Sequence, residues 1–109
     1  MDKKWKVKER LAAKFFGTVR NSLSGGNSKM SRSDSCHPDL YLEVKSGKRH
    51  KIWSLYESTV PRAKKEKKIP VLMTYQDGKH GGLVTVHSQD FKEVAIKFLK
   101  SQGHTVGRK

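Results

Sequence analysis

The segment DLYLEVK, residues 39–45, carries the side chains best suited to chemistry. Leu40, Leu42 and Val44 alternate with Tyr41, Glu43 and Lys45, the period of a strand with one apolar face. Glu43 and Lys45 therefore leave the same face, about 7 Å apart along the strand, close enough to serve one site. A carboxylate that binds a divalent metal, with an ammonium beside it to position water or steady developing negative charge, is what phosphodiester hydrolysis requires. Glu-x-Lys is a short pattern, and Glu66, Lys67 and Lys68 repeat it. That second copy lies in the charge run KKEKK at 64–68, where a solvated helix end is the simpler reading. The strand context and the acidic residues just upstream raise the first copy above it.

A metal needs a second carboxylate near Glu43, and two stand upstream. Asp39 follows Pro38, but on one continuous strand it falls about 13 Å from Glu43, too far to share an ion whose ligand oxygens lie about 2.1 Å away. Asp34 is nine residues before Glu43, and a turn over 35–38 folds 32–34 back beside the strand, bringing Asp34 across to Glu43. Asp34 ranks first, and Asp39 stays open as the alternative. Glu9 is a third acid of interest, lying on the apolar side of a helix where an acid needs a partner or a metal. The plainer reading pairs it with Lys6 or Lys8.

The elements that must position these groups follow from periodicity. Residues 3–16 are expected to form a helix with Lys3, Lys6, Arg10 and Lys14 on one face and Trp5, Leu11, Ala12, Phe15 and Phe16 elsewhere; Gly17 ends it. TVRNSL at 18–23 reads as a short strand, and SGGNSKMSRS at 24–33 as a Gly/Ser loop suited to backbone contact with phosphates. A basic turn at 46–51 follows the Glu-x-Lys strand. Trp53, Tyr56, Val60 and Ala63 mark a helix over 52–67, kinked or restarted at Pro61. IPVLMTY (69–75) and GLVTVH (82–87) form a hairpin through QDGKHG. Ser88 or Asp90 caps a last helix that turns Phe91, Val94, Ala95, Phe98 and Leu99 inward. The expected fold is α/β, a mixed sheet flanked by helices, as one domain over 1–109.

Composition bounds the partner. Twenty-four Lys and Arg against ten Asp and Glu give a formal charge of +14 on 109 residues, the electrostatic footprint of a nucleic-acid binder. Lys29, Arg32, Lys48, Arg49 and Lys51 surround the candidate site and suit backbone phosphates. The single cysteine, Cys36, allows no internal disulfide, and no CxxC supports a zinc site. No apolar run reaches the length of a membrane span, and the N-terminus lacks a signal-type apolar region, so a cytoplasmic location is expected.

Glu9, then SGGNS, then SDSCHPDLYLEVK together resemble the PD-(D/E)XK nuclease superfamily, and within it the archaeal-type Holliday-junction resolvases and related bacteriophage proteins. The likeness runs from Glu9 to the hairpin, although the spacing between the aspartate and the Glu-x-Lys strand is shorter here and the literal "PD" falls on Asp39. It implies a restriction-endonuclease-like fold and hydrolysis of four-way DNA junctions with Mg2+, for which Mn2+ could substitute. By the same resemblance Glu9, Asp34, Glu43 and Lys45 are the catalytic set. Glu9, Asp34, Glu43 and the Val44 carbonyl would hold the metal, and Ser24 would lie near the scissile phosphate. Symmetric cleavage of a junction calls for a C2 homodimer. Residues 82–87 and the Trp53 and Tyr56 face of helix 52–67 are the interface candidates. A bacteriophage source, acting in the host cytoplasm, fits the likeness. The rival readings are a nuclease of this fold with another DNA substrate and a basic binding protein without catalysis.

Overall fold

The structure is a computed structural model, and it describes residues 4–21 and 33–105. Among them are helix α1 (Lys4–Phe15), strand β1 (Leu40–Gly47), helix α2 (Ile52–Lys65), strands β2 (Ile69–Gln76) and β3 (Leu83–Thr85), a 3-10 turn (Ser88–Asp90) and helix α3 (Phe91–Ser101). The chain is thus a small α/β domain with a three-stranded mixed sheet in the order β1-β2-β3. β1 and β2 are parallel, with Leu42 opposite Val71 and Glu43 opposite Leu72, and α2 makes the crossover that parallel neighbours need. β3 returns antiparallel to β2, as expected of the hairpin.

The alternation in β1 decides which helix covers which face. Leu40, Leu42 and Val44 join Val71, Met73 and Tyr75 on one face, packed against Ala12 of α1, Phe16 just past its end, and Val94 and Phe98 of α3. Leu40 and Leu42 are fully buried, each stabilising the fold by about 2 kcal/mol on area grounds. Tyr41 and Glu43 point to the other face, where α2 buries Tyr56, Thr59 and Ala63. Phe98 packs on Phe15 and Phe16, with ring centroids 5.1 and 5.5 Å away, fastening α1 to α3. Gly17 ends α1 at φ +73°, and a Cβ there would stand 2.5 Å from the Ser101 carbonyl oxygen, so only glycine lets the two helix ends meet.

Several expected faces differ. The buried stripe of α1 is Glu9, Ala12 and Ala13, continued by Phe16 just past its end, while Trp5, Leu11 and Phe15 are substantially exposed. Two alanines let the helix lie close to the sheet, and the bulky residues flank that contact. Trp53 and Phe91 are exposed too, at 67% and 65%, so neither is core. α2 runs through Pro61 to Lys65 without restarting there. His87 precedes the last helical segment and accepts the Gln89 N–H on Nδ1; neither Ser88 nor Asp90 supplies the side-chain cap. Within 18–21 only Arg20 makes a β-bridge, antiparallel to Ser35, and residues 22–23 lie outside the described set. Among the described residues, no helix is long and apolar enough to cross a membrane.

Candidate active site

The free edge of β1 is occupied by a ribbon made of 18–21 and 33–36. The Asn21 N–H donates to Asp34 O at 3.1 Å and the Cys36 N–H to Val19 O at 2.9 Å, which pairs the two segments. The ribbon then bonds to β1: Asp34 N–H donates to Leu42 O at 2.9 Å, and Leu42 N–H donates to Ser33 Oγ at 2.9 Å. A buried strand edge must satisfy its backbone groups, and here a serine hydroxyl does part of what a regular partner strand would do. The expected fold-back of 32–34 is therefore present for Ser33 and Asp34, while residue 32 lies outside the described set.

That ribbon brings Asp34 to Glu43. The Asp34 carboxylate accepts the Val44 N–H at 2.8 Å. Burial, then the negative charge of Glu43, lift the Asp34 carboxyl to about 7, with a further push from Glu9; the Val44 N–H opposes them. Glu9 reaches the same point from α1, within hydrogen-bonding range of Asp34. Its carboxyl is also raised, chiefly by burial, against the pull of Arg20, whose Nε stands 2.7 Å from Glu9 Oε1. This overturns the plainer pairing with Lys6 or Lys8: the partner is Arg20. Asp39, in contrast, is half-exposed at the start of the strand and faces Lys97 at 4.0 Å, away from the acids.

Glu43 is buried with cations on both oxygens. Lys45 Nζ lies 2.8 Å from Oε2, so the two members of Glu-x-Lys share one site as their spacing requires. Arg62 Nη1, from α2, lies 3.6 Å from Oε1. Sequence reasoning missed both Arg20 and Arg62, because nothing distinguishes two arginines among 24 basic residues until the chain is folded. Tyr41, next to Glu43 on the buried side, keeps a hydroxyl without a hydrogen-bond partner among the described residues, and burial raises it to about 12.

Three carboxylates thus converge from α1, the ribbon and β1. Among the described residues, no group of three or more His, Cys, Asp or Glu is spaced as it stands to hold a metal ion. The charge pattern nonetheless suits a divalent cation: burial and then the repulsion from Glu43 and Glu9 lift Asp34, a divalent ion would relieve that repulsion, and oxygen donors match Mg2+ or Mn2+. Val44 meets Asp34 through its N–H. Lys48, Arg49 and Lys51 are exposed beyond the end of β1. Their loop is tied to β2 by the Asp77 N–H donating to Gly47 O at 2.7 Å and by His50 Nε2 against Tyr75 O at 2.9 Å. Ser24, Lys29 and Arg32 lie outside the described residues. Cys36 is an exposed free thiol. The sequence matches no family model, and neither a curated protein nor a solved structure matches the chain.

Proposed function

We propose that this chain is a magnesium-dependent endodeoxyribonuclease with a restriction-endonuclease-like core, acting on branched DNA and foremost on four-way junctions. The observation that carries the reading is the meeting of Glu9, Asp34 and Glu43 from three separate segments, with Lys45 bonded to Glu43. The element order supports it as well: a helix, an antiparallel ribbon bearing the aspartate, the Glu-x-Lys strand, a crossover helix and a parallel strand.

Asp34 and Glu43 would hold Mg2+, or Mn2+ in its place, with Glu9 and the Val44 carbonyl as further ligands. Bound there, the ion would polarise the phosphate and make water a competent nucleophile. The chain's own residues do the remainder. The Val44 N–H holds the Asp34 carboxylate in place, so that it meets a cation without reorganisation. Lys45 places a positive charge beside Glu43, where it can hold water and stabilise the charge that builds on the phosphate. Lys48, Arg49 and Lys51 meet backbone phosphates without reading bases, which suits a substrate recognised by shape. Two copies would supply the two cuts a junction needs; the exposed Trp53, Leu83 and Val84 are candidates for their contact, whereas Tyr56 is buried within its own chain.

The test is cleavage of a four-way junction beside linear duplex and single strands, in Mg2+ and in Mn2+. The expected outcome is preferential junction cutting that Glu43→Gln and Lys45→Ala each lower at least about 100-fold while binding survives. Equal cutting of all three substrates would remove the junction preference. No cutting of any would leave a basic DNA-binding domain.

A further inference from the structure

The two oxygens of Glu43 are held differently. Lys45 Nζ at 2.8 Å is at charge-assisted hydrogen-bond distance, whereas Arg62 Nη1 at 3.6 Å is an ion pair at longer range. Arg62 also donates its Nε–H to the Ser58 carbonyl oxygen of its own helix at 3.3 Å, which aims the guanidinium at the acid. Its side chain is 41% exposed while that of Glu43 is 7% exposed, so Arg62 sits at the mouth of the site with one end in solvent. A guanidinium offers five donors in a planar fork that fits phosphate oxygens, and the two contacts named here leave part of that fork for another anion.

Charge arithmetic decides what happens when a divalent cation reaches Glu43. The ion supplies the neutralisation that Arg62 supplies without it, and two positive groups competing for one oxygen repel each other. The looser of the two contacts on Glu43 is the one that yields. We propose that Arg62 is an exchangeable counter-ion: it neutralises Glu43 in the metal-free chain and, once a divalent cation takes that carboxylate, turns its guanidinium to a DNA phosphate at the mouth of the site. The proposal rests on the nuclease reading above. It makes cation and DNA binding cooperative, because each ligand takes one half of an internal ion pair and so removes a cost for the other.

The experiment compares the wild type with Arg62→Gln and Arg62→Lys, with thermal melts confirming that each variant folds. Calcium is titrated calorimetrically without DNA, and junction affinity is read by fluorescence anisotropy with and without calcium. In Arg62→Gln, calcium should bind about threefold more tightly without DNA, the size expected for removing one half-exposed competing charge. The calcium-dependent gain in junction affinity should be clearly smaller in that variant than in the wild type, the remainder coming from the ion's own attraction for phosphate, and be largely kept in Arg62→Lys. Calcium affinity that is unchanged or weaker in Arg62→Gln, or a calcium-dependent gain in junction affinity as large there as in the wild type, overturns the proposal. Those results would leave wild-type cleavage in Mg2+ intact, whereas a wild type that cuts no DNA overturns the nuclease reading itself.

Discussion

Asp34 and Val44 are joined across the edge of β1 by one hydrogen bond, the Val44 N–H donating to Asp34 Oδ2 at 2.8 Å. That N–H, with the charge of Lys45, opposes burial, Glu43 and Glu9, which push the carboxyl towards its neutral form, to about 7 from an unfolded value of 3.8. The sign follows from linkage. A carboxyl raised on folding contributes stability that is complete below the unfolded value and is lost as pH rises through the folded one. The metal-free chain is therefore expected to melt at a lower temperature at pH 8 than at pH 6. Asp34→Asn, which keeps an acceptor for the Val44 N–H, should flatten that decline in melts run with a chelator. An equal decline in the variant would show that Asp34 is not its source.

Ser33 holds the same edge by its hydroxyl, which accepts the Leu42 N–H at 2.9 Å and donates to Leu42 O at 3.2 Å. Ser33→Ala leaves that buried N–H unsatisfied, which costs about 1–3 kcal/mol. Urea unfolding should record the loss. A change below about 0.5 kcal/mol would mean that the ribbon relaxes to pair the strand by another route.

His37 works at the opposite pH. It is buried, its Nδ1 accepts the N–H groups of Asp39 and Leu40 at 3.0 and 3.1 Å, and Nε2 lies 2.7 Å from Ser101 Oγ. Nδ1 as acceptor requires the neutral ring with the proton on Nε2, and the Ser101 hydroxyl accepts from it while donating its own hydrogen bond to Lys97 O at 2.9 Å. Burial lowers the imidazole from 6.5, with Lys68 and Lys97 in the same direction and Asp39 against. Stability from this group is thus present above about pH 6.5 and lost as pH falls below it. His37→Asn keeps an acceptor for the two N–H groups and cannot charge. It should lower the melting temperature at pH 7.5 yet shrink the fall between pH 6.5 and pH 5.

Tyr41 carries a hydroxyl with no hydrogen-bond partner among the described residues, in the layer between β1 and α2. Removing a buried unsatisfied group of this kind is favourable, so Tyr41→Phe should raise stability by about 1 kcal/mol in urea unfolding. A loss of similar size would reveal a partner for the hydroxyl, such as an ordered water.

The Glu-x-Lys strand was readable from the sequence because strict alternation sets side-chain direction, and a single face then had to carry both Glu43 and Lys45. Asp34 ranked ahead of Asp39 in the sequence because a turn between it and β1 could bring it near Glu43, whereas a continuous strand sets Asp39 about 13 Å away. The helix faces were less readable. On α1 the bulky residues outweigh Ala12 and Ala13 in any hydrophobicity pattern, yet small side chains set the closest approach to the sheet. Arg20, Arg62 and His37 were illegible for another reason: each acts on a group 11 to 64 residues distant, and no local period encodes such a meeting.

The imidazole of His37 fastens the first residues of β1 to residue 101, near the last turn of α3. A ribosome delivers a chain from its amino end, so the strand that bears Glu43 is translated long before its clamp exists. Nascent chains halted ahead of residue 101 would hold every acid of the site and still lack the latch on that strand, so its final tightening waits until α3 has been made.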